Sequence, residues 1–501
     1  MRNVNELIFD SIRKFGKKKA VEDGKNFLTY RKLGDISGAV GTFLSKEFFR
    51  KPVIVMCDRN IESFVMILGV VLSGNIYVPV DIFQPEERIK KMLSVVEPCA
   101  VISTNDIRPS FIENKSIHYY TYNECISTQC NEELLKQISE RIKVTDILNC
   151  IFTSGSTGIP KAVAKSHRSI LAMVDSFESL MDFSCDDVLG SQSPFDFDIS
   201  NKTIYISLSN GCTVSLISRT EFMFPGKIID LINERKITSG FWSTAALSII
   251  AKFDAMKKTK PHYLKKLMFS GEKLPVSVLE YWKIHSPETQ LINLYGTTEM
   301  TGNALYYIID KEKKYDVVPI GKALPGVTVS LFADNGTKIL SPYNKGEIVI
   351  QGDSLADGYY NDKAKTNNVF IRNNKNEVMY KTGDIGYFDN NGLFYFSGRN
   401  DDQIKKNGYR IELDEIERVA EKSEGVLSCC CIYIEKNNKI ILFYESEKTS
   451  ERQLLLHLKE SLPSYMMPDK IISLDKIPLN PHGKKDKHKL KEEFENGQIF
   501  I

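Results

Sequence analysis

Residues 152–161 read FTSGSTGIPK. Thr153, Ser154, Ser156 and Thr157 offer hydroxyl donors, Gly155 and Gly158 let the backbone turn tightly beside a ligand, and Lys161 adds a positive charge. Together these groups suit a polyphosphate. A Ser/Gly surface linker would not need the Pro-Lys ending. Cys150–Phe152 reads as a short buried strand entering the loop, and the chain from Ala162 onward is expected to be helical. Strand, loop and helix would then deliver backbone N–H groups to phosphate. The spacing is not that of the P-loop, G-x-x-x-x-G-K-[ST]. Counted from Gly155, Pro160 stands at the second Gly and Ala162 at the Mg²⁺-binding hydroxyl, so kinase-like and motor-like chemistry loses ground.

The elements that must hold this loop follow an alternating pattern. Pro52–Cys57 reads as a buried strand, Ile61–Leu72 as a helix closed by Ser73-Gly74, and Tyr77–Val80 and Cys99–Ser103 as further short strands. Such alternation predicts α/β layers with parallel strands. From Gly321 to Gly352 the pattern changes to short strands separated by turns, which predicts a small antiparallel sheet or β-barrel. The stretch Arg399–Gly408 (RNDDQIKKNG) is polar and reads as strandless. About one hundred residues with their own helices and strands follow it, which is the size of a small domain. The expected division is therefore a core domain over 1–399 and an α+β domain over 400–501. A chain of 501 residues is too long for one core, which agrees with that division.

Bulk properties exclude several classes. Net charge is +2, so no global field points to nucleic acid or an anionic membrane. The longest apolar stretch, around Phe64–Leu72, is too short to span a bilayer, and the N-terminus reads as an amphipathic helix with no signal peptide. None of the ten cysteines forms a C-x-x-C pair. Cys429, Cys430 and Cys431 sit in a run (Val426–Ile434) that reads as a strand, where neighbours face opposite ways and cannot build one metal cage. Reduced thiols in a cytoplasmic enzyme are expected.

Several further blocks stand in a fixed order: LTYRKL at 28–33, LSGNIYVPVD at 72–81, NLYGTTE at 293–299, YKTGD at 380–384, GRNDDQIK at 398–405 with GYRIE at 408–412, LPSYMMP at 462–468 and Gly483-Lys484. With the loop at 153–161 they resemble the signatures of the acyl-adenylate-forming superfamily: acyl-CoA synthetases, luciferases and the adenylation domains of nonribosomal peptide synthetases. The resemblance covers nearly the whole chain. It implies a large layered α/β core with a small β-barrel, a mobile C-terminal domain, and use of ATP with Mg²⁺.

The resemblance also implies roles. A carboxylate must attack the α-phosphate, and unit charges about 4 Å apart repel by about 4 kcal/mol at an effective dielectric of about 20. Lys161 and the loop hydroxyls would hold the β- and γ-phosphates, Thr298 the α-phosphate, and Glu299 Mg²⁺. Lys484 would bridge substrate carboxylate and phosphate; without the resemblance it reads as solvated surface. Asp384 would accept the ribose hydroxyls. Tyr295, beside Asn293 and Gly296, would stack on adenine, the alternative being an ordinary core aromatic. Gly271 and Glu272 would line the adenine pocket, Arg399 would contact ribose or phosphate, and Asp401 would be the hinge of domain rotation.

Phe195–Ser200 (FDFDIS) separates the branches. In amino-acid-activating members the block is Phe-Asp-x-Ser, and its Asp binds the substrate's α-ammonium. Ser200 places that Asp at 198 rather than 196. A buried carboxylate is costly without a cation, and a fatty or aryl acid brings none, so an amino acid is expected. The chain resembles D-alanine–carrier-protein ligases most, yet Lys202, Gly302 and Asn303 stand at positions lining the side-chain pocket. Lys202 either faces a glutamate or aspartate side chain or points to solvent, and D-alanine remains open. No carrier domain or condensation motif is seen. The expected acceptor is the phosphopantetheine thiol of a separate carrier protein, with coenzyme A, and thus an acyl- or aryl-CoA synthetase, as the alternative.

Overall fold

The computed structural model describes residues 3–105, 108–110, 112, 116–155, 157–480 and 484–497. The chain forms two compact units. The first comprises Met1–Ile82, Val96–Phe152 and Ala162–Asn400, and the second Phe83–Val95, Thr153–Lys161 and Asp401–Ile501.

Three sheets build the first unit. A seven-stranded sheet runs Gly358–Tyr359, Lys161–Ser166, Ile147–Thr153, Ile76–Asp81, Pro52–Cys57, Ala100–Ser103 and His118–Thr121 from edge to edge. Pro52–Cys57 and Ile76–Asp81 are parallel and buried along their full length. This is why both read as continuous apolar runs rather than alternating ones. The helix Ile61–Leu72 between them is capped by the Asn60 side chain, which accepts from the Ser63 amide.

A nine-stranded sheet carries Ser239–Ser243, Lys266–Ser270 and Gln290–Tyr295 as parallel neighbours. Its edge is completed by the antiparallel Leu305–Ile308 and Lys322–Ala323. The expected antiparallel element after Gly321 is a six-stranded sheet. Val327–Phe332, Gly346–Gly352, Val378–Phe388 and Phe394–Arg399 are its longest strands. One large apolar core, including Val55, Phe64, Tyr77, Phe177 and Tyr295, underlies these layers.

Two local expectations are corrected. Lys161–Ser166 is a strand, and the helix starts only at His167. The loop thus joins two strands and gains no helix N-terminus. Good helix formers in KAVAKS are overruled by pairing with Gly358–Tyr359. The polar stretch before Gly408 is not strandless, because Gln403–Lys406 pairs antiparallel with Tyr409–Glu412. Asn407 and Gly408 turn that hairpin at φ 54° and 84°.

In the second unit, Val426–Ile434, Lys439–Ser446 and Lys470–Ser473 form a three-stranded sheet. Its two faces are both dry. Cys429 and Cys431 join the core containing Leu413, Ile416 and Leu454, whereas Cys430 joins that containing Ile477 and Leu490. All ten cysteines are free thiols. Among the described residues no helix is long and apolar enough to cross a membrane.

Candidate active site

In the first unit, two adjacent strands place a buried ion pair. Asp384 and Arg399 are cross-strand partners in the six-stranded sheet, and they form an ion pair. The Asp384 side chain is fully buried, and its Oδ2 accepts from the Tyr295 hydroxyl at 2.6 Å. Tyr295 ends the strand Gln290–Tyr295 and is itself buried. Burial, then the neighbouring Asp384, pushes the Tyr295 phenol well above its usual range. Beside it, Asn293 Nδ2 donates to the Pro319 carbonyl at 2.7 Å. Gly271 follows the strand Lys266–Ser270 at φ 113°, and the Glu272 carbonyl accepts from Thr244 Oγ1 at 3.1 Å.

Glu299 lies in the turn after Tyr295, fully buried, with its Oε1 held by the Tyr359 hydroxyl at 2.7 Å. Thr298 in the same turn is half-buried. The hydroxyls of Thr297 and Thr301 are buried without a hydrogen-bond partner among the described residues. Buried hydroxyls normally find partners, so a polar ligand would complete them. A single carboxylate with nearby hydroxyls fits Mg²⁺, which keeps several waters and shares substrate phosphates. Among the described residues no cluster of three or more metal-type ligands exists.

A polar stripe is built on the helix Ile199–Asn210. Asp198, Asn201, Lys202 and Tyr205, spaced i, i+3, i+4 and i+7, share one helical face. Asp198 Oδ1 pairs with Lys165 and accepts from Asn201 Nδ2 at 3.1 Å. Asn201 Oδ1 in turn accepts from Tyr77 at 2.9 Å and from Asn149 at 3.0 Å.

Lys202 does not reach solvent. It is 1% exposed, and its Nζ donates to Asn303 Oδ1 at 2.5 Å. Burial lowers its pKa to about 7. Gly302, at φ 83°, precedes Asn303, and a Cβ there would lie 2.7 Å from Met173 Cγ. Lys165, Tyr359 and the Tyr77–Asn149 pair escaped the sequence reading. The signal for Lys165 was present as a lysine following the apolar run Ala162–Ala164.

In the second unit, donors of the loop 153–161 meet a backbone carbonyl and two carboxylates. Ser154 Oγ donates to the Arg410 carbonyl at 2.9 Å, the Gly155 amide to Glu415 Oε2 at 3.2 Å, and Lys161 pairs with Glu412 at 3.3 Å. Thr153 Oγ1 is buried without a partner among the described residues. Gly158 closes the turn at φ 75°, and Thr157 is exposed. Ser156 lies outside the described residues.

Asp401 Oδ1 accepts from the Gln403 amide at 3.3 Å. Of the lysines in the terminal run, Lys485 pairs with Glu417 and Glu421, and Lys487 with Asp402, Asp414 and Glu417. Lys484 is exposed and has no ion pair among the described residues.

The first unit is a layered α/β body with three sheets. The AMP-binding enzyme family matches residues 8–360, and the chain belongs to that family. It is 30% identical to the D-alanine–D-alanyl carrier protein ligase of Staphylococcus aureus (strain MRSA252), over 94% of this chain and 95% of that protein. It is also 30% identical to bacitracin synthase 1 of Bacillus licheniformis, over 98% of this chain but only 9% of that protein's length. Among solved structures, holo-PA1221, a nonribosomal peptide synthetase protein containing adenylation and PCP domains, matches with a TM-score of 0.83 and 25% identity. That match covers 98% of this chain and 84% of that one.

Proposed function

We propose that this chain activates an amino acid as its aminoacyl-adenylate and then passes it to the phosphopantetheine thiol of a carrier protein held on another chain. The observation that carries the reading is the match to a carrier-protein ligase over nearly the full length of both proteins. The ten free thiols support a cytoplasmic setting.

In the first step a substrate carboxylate oxygen attacks the α-phosphorus of ATP, and the bond to the β-phosphate breaks to release pyrophosphate. Asp384 with Arg399 holds the ribose, and Tyr295, Asn293, Gly296, Gly271 and Glu272 shape the adenine side. Thr153, Ser154, Gly155, Ser156, Thr157 and Lys161 bind the departing phosphates, and Thr298 orients the α-phosphate. Glu299 holds Mg²⁺, which when bound offsets charge on the phosphates. Lys484, the uncommitted lysine of its run, neutralises the attacking carboxylate. In the second step a thiolate sulfur attacks the acyl carbon and AMP leaves. Residues 400–501 form a mobile domain that turns about Asp401 between the steps, so Lys484 serves only the first.

The substrate is an amino acid with an acidic side chain, glutamate or aspartate. The support is Lys202, buried against Asn303 beside Gly302 where an alanine pocket would be apolar. D-alanine is the competing substrate on the strength of the relative's name.

ATP–pyrophosphate exchange against D- and L-amino acids and amine-lacking acids tests the whole reading. Glutamate or aspartate should lead, and Lys202→Met should remove that preference by tenfold or more. Leading activity with a fatty or aryl acid, followed by transfer to coenzyme A, would overturn the reading. Lys484→Ala should abolish exchange yet spare thiolation of supplied aminoacyl-adenylate; equal loss of both steps would sink the rotating-domain assignment.

A further inference from the structure

The Asp198 carboxylate already has a cation. Lys165 is fully buried in the strand Lys161–Ser166, and its Nζ is paired to Asp198 Oδ1. Asn201 Nδ2 holds the same oxygen at 3.1 Å. Asn201 is fixed in turn by Tyr77 and Asn149, so the carboxylate is held along one edge. Asp198 Oδ2 has no hydrogen-bond partner among the described residues, and the Asp198 side chain is 14% exposed. One oxygen is therefore committed to the protein and the other is presented to the site.

The contact with the Asp198 carboxylate keeps the Lys165 amine charged, while burial pushes its pKa down from the ordinary range. The charge of Glu299 acts in the opposite direction, and that of Lys202 adds to the effect. Lys165 thus sits within electrostatic reach of three functional groups and is not isolated packing.

We propose that Lys165 is a specificity-determining positioning residue. It supplies Asp198 with a resident ammonium, so the site also accepts carboxylic acids that lack an α-amino group, dicarboxylates foremost. The proposal rests on the reading above that Asp198 faces the substrate's α-ammonium. Where the protein provides no cation, a buried carboxylate demands one from the substrate, and an amine-lacking acid is rejected because it leaves the charge unpaired. Here the demand is met before substrate arrives. An incoming ammonium must share Asp198 through Oδ2 with a like charge on Oδ1, which weakens the preference for amines.

The test compares kcat/KM for ATP–pyrophosphate exchange with glutamate and glutarate, and with D-alanine and propionate. It uses the full chain and its Lys165→Met, Lys165→Gln and Asp198→Asn variants. The wild type should favour the amine-bearing member of each pair by less than about tenfold. Lys165→Met should widen that ratio at least tenfold, chiefly through a higher KM for the amine-lacking acid. Lys165→Gln, which keeps a donor but no charge, should do the same where the Met variant does not fold.

A purely structural role predicts equal losses for both members of each pair and an unchanged ratio, which would overturn the proposal. A wild-type preference for the amine above about a thousandfold would also overturn it. Asp198→Asn separates the two failures. If it leaves every ratio unchanged, Asp198 does not face the amine, and the underlying reading falls together with the proposal.

Discussion

Two carboxylates in the first unit are built in opposite ways. Asp384 is closed on both sides: Arg399 takes one oxygen across the sheet and Tyr295 takes the other. Its partners come from adjacent strands and from the end of a neighbouring sheet, so the backbone holds all three. Among the described residues Asp198 is held on one oxygen only, by a lysine from a strand more than thirty residues earlier and by an asparagine one helical turn on. The difference in cation matters too. A guanidinium stays charged under any condition met in a protein, whereas a buried ammonium can lose its proton. The first pair is a fixture, and the second is adjustable.

That contrast can be broken most sharply at Asp384. Asp384→Ala strands a permanently charged Arg399 and should cost about 3–5 kcal/mol in a denaturant titration, together with loss of exchange. Asp198→Ala should cost less, about 1–3 kcal/mol, because Lys165 can shed its proton. Its cost should also depend on pH. A folded-state pKa below the unfolded one means that folding releases a proton, so the variant's stability should rise with pH over the window between the two values. A pH-independent loss equal to that of Asp384→Ala would erase the distinction between fixture and adjustable pair.

Lys202 sharpens it from a third direction, as a buried lysine with a neutral partner. Its pKa falls from 10.5 to about 7, so wild-type stability should rise between pH 7 and 10.5 as the unfolded chain loses the proton the folded one lacks. Lys202→Met should therefore stabilise the fold at pH 6, with the gain fading toward pH 10, as read from thermal midpoints at the two pH values. The smallest effect belongs to Tyr359→Phe. It removes one hydrogen bond to Glu299 and should cost about 1 kcal/mol by denaturant titration.

Much of the fold was legible because local signals agreed with the tertiary result. Pro52–Cys57 and Ile61–Leu72 read to the residue, since an apolar run is bounded by the Asn60 cap and the Ser73-Gly74 stop. Lys161–Ser166 failed because its strand character comes from its two sheet neighbours, Ile147–Thr153 and the distant Gly358–Tyr359, and not from its own residues. The hairpin about Asn407-Gly408 failed although Asn-Gly is a strong turn signal, because charged flanks hid the strands. In the site, Asp198 and Lys202 were legible as residues, and their polar stripe with Asn201 and Tyr205 was available from spacing alone. The meaning of Lys165 was not. A lysine following an apolar run gains a role only when a distant helix brings it a carboxylate.

The three consecutive cysteines carry one more consequence. Burial raises each thiol, Cys430 to about 12 and its two neighbours further, so almost no thiolate is present at neutral pH. Two of them line one dry face of their strand and the third lines the other. An alkylating reagent can reach them only after both layers of the C-terminal sheet come apart. Their labelling rate, read at these three positions by peptide mapping, is a native clock for the opening of that unit.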